Sequence, residues 1–104
     1  MINVGIIGAG RIGKVHCESI MRYVKNATVK AVADPFLNDE TIEWAKGLGI
    51  EEFYTDYHKI LEDNDIQAVL ICSSTDTHSS ISVEAIILQR SASLAVSTPV
   101  LIAL

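Results

Sequence analysis

A basic surplus is what this chain most plainly lacks. Its 104 residues carry 8 Lys and Arg against 13 Asp and Glu, a formal net charge of −5. Nucleic acids and anionic membrane surfaces are met by basic faces, so neither is an expected partner. Cysteine is scarce: Cys17 and Cys72 stand far apart in sequence. They fit no metal-ligand spacing and cannot form the dense framework of a small secreted domain; they read as reduced thiols in a cytoplasmic setting. The N-terminal apolar run is short and has no basic lead, unlike a signal peptide. No apolar run reaches the roughly 20 residues that cross a bilayer, although Leu94 to Leu104 is strongly apolar. Internal repeats and low-complexity tracts are missing. Lysine is missing beyond Lys59. What is present is a hydrophobic content of 49%, enough for the core of one small domain.

The organising stretch is the first sixteen residues. An apolar run, Ile2 to Ile7, meets Gly8-Ala9-Gly10-Arg11-Ile12-Gly13, and a helical pattern follows. This is G-x-G-x-x-G in a strand–turn–helix setting, a dinucleotide fingerprint. Gly8 permits the tight turn, Gly10 lets a pyrophosphate approach the backbone, and Gly13 lets the helix pack close to the sheet. The helix N-terminus offers free N–H groups and a positive dipole end to phosphates. A second strand-like run, Val29 to Ala33, ends in Asp34, about 20 residues beyond Gly13, where a ribose-binding acid belongs.

The continuous apolar character of Ile2 to Ile7 predicts a parallel strand buried on both faces. A helix is expected from about Arg11 to Val24, with Ile12, Val15, Ile20 and Val24 near its packed face. His16 lies on or beside that face, and Cys17 reads as a small packing residue. The β-branched alternation of Thr28 to Ala33 predicts strand two, which Asp34-Pro35 stops. Asn38 or Asp39 caps a helix over Glu40 to Leu48, in which Trp44 packs partly exposed and which Gly47 and Gly49 close. Phe53-Tyr54 is a short third strand. Thr55-Asp56 caps a helix through Tyr57, Ile60 and Leu61. Ala68 to Cys72 is the next buried strand; a polar loop, Ser73 to His78, and a helix from about Ser79 to Leu88 follow. The alternation β-α-β-α-β-α-β-α predicts a single α/β domain, a Rossmann-like, doubly wound parallel sheet.

Ligands of such sheets bind outside the carboxyl ends of the strands. The glycine loop, Asp34 and the Ser73 to His78 loop all fall on that edge. The expected cofactor-binding residues are Gly8, Gly10, Arg11, Ile12, Gly13, Asp34, Ser73, Ser74, Thr75 and His78. Asp34 suits the two ribose hydroxyls of an adenosine and repels a 2′-phosphate, which favours NAD over NADP as the cofactor. Arg11 could reach a phosphate, and Ser73, Ser74 and Thr75 could line the nicotinamide side or simply cap the next helix.

With these residues in place, the chain resembles the N-terminal half of the Gfo/Idh/MocA oxidoreductases, in the inositol 2-dehydrogenase branch. The matching segments are Gly5 to His16, Ala31 to Pro35, Tyr54 to Tyr57, and Ala68 to His78, and the resemblance covers residues 1 to about 86. It implies an NAD-binding Rossmann domain, an inward histidine at His16, and a structural or cleft-side histidine at His78. After Ile86 it fails. The family's Glu-Lys-Pro motif should fall at Ala95-Val96-Ser97, and no lysine stands there. Two accounts stay open: a tail read from the adjacent frame over residues 87 to 104, or a divergent fifth strand at Ser93 to Ser97 with Pro99 as a bend. The substrate domain is absent from this sequence, and with it any visible catalytic residue. The expected function is therefore the NAD-binding half of a polyol or inositol dehydrogenase-like oxidoreductase, inactive alone. The alternatives are a non-enzymatic nucleotide-binding or oligomerising module, and one part of an enzyme whose substrate domain lies on a separate chain. The uncharged tail and the uncovered sheet edge make a homodimer the expected assembly.

Overall fold

The computed structural model of the chain describes residues 1–72 and 100–103. In chain order the elements are β1 (Ile2–Ile7), α1 (Arg11–Tyr23), β2 (Ala27–Ala33), α2 (Asp39–Gly47), β3 (Glu52–Tyr54), α3 (His58–Leu61), β4 (Ala68–Ile71) and β5 (Val100–Ala103). The strands form one sheet in the order β3-β2-β1-β4-β5, and every pairing is parallel. From β1 the chain winds outward to β3, then returns to lay β4 on the other side of β1. The strand order therefore reverses between β1 and β4, the crevice where open α/β sheets bind ligands.

Two apolar clusters cover the two faces of the sheet, which is why β1 and β4 read as continuous apolar runs. On one face Val4, Ile6, Val29, Val32 and Leu70 pack with Cys17 of α1 and Ala45 of α2, with Ile20, Met21 and Trp44 at the margin. On the other, Ile7, Ala31, Ala33, Val69 and Ile71 pack with Ile60 of α3 and with Ile66. Gly5 makes this second layer possible, since a Cβ there would stand 2.5 Å from Ile60 Cγ2. Between Val4 and Gly5 the register slips: Val4 faces Val29 but Gly5 faces Ala31. Lys30 is thus the extra residue of a bulge.

Helix α2 starts as expected, with the Asn38 side chain accepting from Thr41 N–H at 2.8 Å. It ends in a glycine-closed motif: Gly49 has φ +100, its N–H donates to Lys46 O at 3.0 Å, and Ile50 N–H donates to Ala45 O at 3.1 Å.

Helix α1 corrects the expected packed face. Ile12, Val15 and Val24 are exposed, at 58%, 56% and 47%, and the buried residues are Gly13 and Cys17. The closest approach to the sheet decides the face. Gly13 sits against the Gly8 carbonyl, so the positions one and two turns on, Cys17, Ile20 and Met21, are the ones that meet the core. Trp44 is half-buried, as expected, with the Lys14 Nζ 6.0 Å from its ring centroid.

The tail supplies a fifth strand, but at Val100–Ala103, after Pro99, running parallel to β4 from Ala68↔Val100 to Ile71↔Ala103. The expected positions Ser93 to Ser97, the loop Ser73 to His78 and the helix Ser79 to Leu88 lie outside the described residues.

Candidate functional site

The turn between β1 and α1 is shaped by two glycines that cannot be replaced for different reasons. Gly8 has φ +101, a conformation open to glycine and strained for other residues. Its N–H donates to Ala33 O at 2.8 Å, which ties the turn to the end of β2. Gly13 is enclosed: a Cβ there would collide with the Gly8 carbonyl oxygen and lie 3.6 Å from Cys72 Cβ. Gly10 is the opposite case. It is exposed, caps α1 with φ −75 and ψ −163, and a Cβ on it would meet nothing within 4 Å among the described residues. Open space on this side of the turn is what a group lying against the backbone requires.

Helix α1 begins without a side-chain cap and without an acidic residue in its first turn. The N–H groups of Arg11, Ile12 and Gly13 have no acceptor inside the helix, and the dipole puts partial positive charge at the same point. Nothing in the chain's own first turn neutralises it. Arg11 and Ile12 are both exposed there.

Asp34 follows β2 and is half-buried. Its backbone N–H donates to Tyr54 O at 3.0 Å. One carboxylate oxygen, Oδ2, accepts from Ala9 N–H at 2.6 Å; the other, Oδ1, accepts from Phe36 N–H at 2.7 Å. The acid is thereby fixed against the glycine turn, with lone pairs left over, since an ionised carboxylate has about four acceptor sites. No ion pair joins Asp34 among the described residues. The structure thus brings together Gly8, Gly10, Arg11, Ile12, Gly13 and Asp34 at the carboxyl ends of β1 and β2. Ser73, Ser74, Thr75 and His78 lie outside the described residues. Cys72, just before them, is held by its N–H to Ile7 O at 2.7 Å.

Among the described residues, the turn offers helix-end donors without a side-chain cap, and the fixed acid beside it offers spare acceptor capacity. His16 is half-buried on α1. Cys17 is 1% exposed, a packing residue as expected, and burial first, then the neighbouring Cys72, pushes its thiol up to about 12. Burial also raises Cys72. No His, Cys, Asp and Glu group able to hold a metal occurs among the described residues, and no helix among them is long and apolar enough to cross a membrane.

Sequence reasoning missed two polar features. After β3, Asp56 Oδ1 accepts from His58 N–H at 3.0 Å and pairs with His58 Nδ1 at 2.5 Å; these contacts hold the Asp56 carboxyl below its ordinary range. On the α3 face, Lys30 meets Asp63 at 2.5 Å, Asp65 at 3.6 Å and Glu52 at 3.8 Å. A bulge inside a strand leaves little trace in alternation, so nothing in the sequence marked Lys30.

Comparison with known proteins places this geometry. Residues 2–101 match the Gfo/Idh/MocA family, described as an oxidoreductase family with an NAD-binding Rossmann fold. The chain is 41% identical over 78 residues to a myo-inositol 2-dehydrogenase of Thermotoga maritima, covering 75% of this chain and 23% of that protein. Among solved structures, apo scyllo-inositol dehydrogenase of Lactobacillus casei superposes with a TM-score of 0.80 at 27% identity, over 99% of this chain and 28% of that one. The same organism's scyllo-inositol dehydrogenase with bound NAD(H) and scyllo-inositol gives 0.74 at 31% identity, over 85% and 26%. The chain therefore spans about a quarter of the length of these relatives.

Proposed function

The chain belongs to the Gfo/Idh/MocA oxidoreductase family as an NAD-binding Rossmann domain, and we propose that it holds NAD through the residues gathered at the ends of β1 and β2. The backbone of Gly8, Gly10, Ile12 and Gly13 takes the pyrophosphate, with the Arg11 side chain beside it, and the Asp34 carboxylate takes the adenosine ribose. Ser73, Ser74, Thr75 and His78 come next in sequence after β4 and would line the nicotinamide side. The observation that carries this reading is the 2.6 Å bond from Ala9 N–H to Asp34. It sets the acid and the phosphate turn in one fixed relation, as a single ligand touching both would need. When bound, NAD supplies hydride acceptance; this chain's residues bind and orient it.

NAD is the preferred dinucleotide, because a fixed carboxylate repels a 2′-phosphate. Calorimetry should show NAD bound at least about tenfold more tightly than NADP, a difference near 1.4 kcal/mol. Asp34→Asn, which keeps an acceptor for Ala9 N–H but removes the charge, should erase most of that gap. Equal affinities in the parent chain would overturn the preference.

The substrate class is a polyol of the inositol kind, by the chain's likeness to the inositol dehydrogenases. We propose no turnover from these residues alone, because hydride transfer needs a substrate carbon held against the nicotinamide and a base for its hydroxyl proton. Purified chain with NAD and myo-inositol should yield no NADH above a protein-free blank. The assembly we propose is a homodimer in a cytoplasmic setting. It is supported by β5, the last strand of the sheet, whose outer side is an edge. Light scattering should give twice the chain mass of 11.3 kDa; a monodisperse monomer would refute the dimer.

A further inference from the structure

Phe36 is 86% exposed, two residues beyond the acid that ends β2. Large apolar groups in water are ordinary when scattered, but this one is not held loosely. Asp34 O accepts from Leu37 N–H at 3.1 Å, which closes a four-residue turn with Pro35 at its second position, where the ring presets φ. Asp34 Oδ1 accepts from Phe36 N–H at 2.7 Å. The carboxylate that faces the glycine turn through Oδ2 thus fixes the backbone of the aromatic residue through Oδ1. Phe36 belongs to the same rigid unit as the proposed ribose-binding group.

The order of groups in a dinucleotide does the rest. The phosphate turn follows β1, and Asp34 follows β2, one strand further out. A ligand with its pyrophosphate at α1 and a ribose on Asp34 carries its next group, the adenine base, outward past β2. The Asp34–Leu37 turn lies there. The nicotinamide half runs the other way, toward β4. The other exposed aromatic among the described residues, Tyr23, ends α1 at the far side of the domain.

We propose that Phe36 is the platform on which the adenine of the cofactor stacks. This rests on the NAD reading above. It adds a contact that neither the glycine fingerprint nor the acid supplies, because those recognise phosphate and ribose and leave the base unread. Base–aromatic stacking is sequence-tolerant and acts through the π-face, so the assignment predicts affinity from the ring rather than from polar contacts.

The test is calorimetric titration of the full chain with NAD, AMP and nicotinamide mononucleotide, in the parent and in Phe36→Ala, Phe36→Leu and Phe36→Trp. Phe36→Ala should weaken NAD and AMP by the same factor, about tenfold or more, and leave the mononucleotide unchanged. Phe36→Leu should recover little and Phe36→Trp should restore binding. The added tryptophan should be quenched by AMP and not by nicotinamide mononucleotide, measured against the parent's Trp44 signal. Because the side chain is exposed, circular dichroism should show every variant folded. A parent that binds neither NAD nor AMP overturns the NAD reading and the platform together. A parent that binds both, with Phe36→Ala binding AMP as tightly, overturns the platform alone, as does equal weakening of AMP and nicotinamide mononucleotide.

Discussion

Two charged places in this small domain are built on opposite plans. Around Lys30, one cation meets three acids of its own chain, Glu52, Asp63 and Asp65, and Tyr54 adds its hydroxyl to Glu52 at 2.9 Å. The charge is answered within the fold. Around Asp34 one acid meets two backbone N–H groups and no cation among the described residues, while the helix end beside it has donors and no cap. There the charges and dipoles are fixed in place but left with capacity to spare. The first arrangement ties β2, β3 and the end of α3 together. The second leaves its remaining interactions for something outside the chain. Polar groups held rigid yet incompletely answered are what distinguish a binding edge from a structural clamp.

The sharpest way to break that contrast is to alter the glycine turn at two positions that look equivalent in the fingerprint. Gly13→Ala forces a methyl into the Gly8 carbonyl, and neither partner is a flexible side chain that can step aside. The helix or the turn must move, at a cost of about 1–3 kcal/mol or more, and the melting temperature should fall by several degrees. Gly10→Ala meets no neighbour within 4 Å among the described residues and keeps a backbone conformation any residue adopts. Its thermal stability should stay within about 0.5 kcal/mol of the parent, while NAD affinity drops about tenfold or more as the methyl enters the space proposed for the pyrophosphate. A Gly10→Ala chain that binds NAD normally would remove the ligand from that side of the turn. Thermal melts and calorimetry on the same samples separate the two effects.

How legible this was in the sequence depends on range. The glycine spacing, the acid after β2, and the ends of β1, α2 and β3 follow from local rules, and the structure places each within a residue or two of the reading. The packed face of α1 does not follow from its apolar residues alone, because the closest approach of the helix to the sheet decides which positions meet the core. Gly13 marks that approach, and it was already in the motif. Gly5 carried a usable signal too, since an isolated glycine inside a strand marks a close backbone or side-chain approach, here by Ile60. The bond from Ala9 to Asp34 and the Lys30 cluster join residues far apart in sequence, and neither residue type nor periodicity encodes such pairings. One of the two accounts of the tail places a fifth strand at Ser93 to Ser97; the strand observed is Val100–Ala103, which follows Pro99 in sequence, in keeping with a residue that cannot donate to a ladder.

The smaller effect belongs to the clamp. Lys30 is 23% exposed on its side chain, and its hydrogen bond to Asp63, then the neighbouring Glu52 and Asp65 charges, raise its pKa above the ordinary 10.5. A base whose pKa is raised in the folded state binds its proton more tightly there than when unfolded. Its contribution is therefore complete below about 10.5 and fades as pH climbs through the higher folded value. Replacing Lys30 by Met should cost about 1 kcal/mol at neutral pH, a modest figure because the cluster remains in reach of water. The gap between parent and variant should hold steady from pH 7 to about pH 10 and close above it. Tyr54 titrates in the same region, raised first by its bond to Glu52, so a Tyr54→Phe background is needed to assign the change to Lys30. Asp56 runs the other way: its carboxyl is lowered from 3.8, chiefly by the His58 N–H, so its contribution is present above 3.8 and disappears as pH falls. Urea melts from neutral pH upward should thus show the Lys30 variant converging on the parent at the alkaline end. A gap that persists unchanged at the alkaline end would mean that the charge of Lys30 does not set the stability of the clamp, and the contrast with Asp34 would lose its structural half.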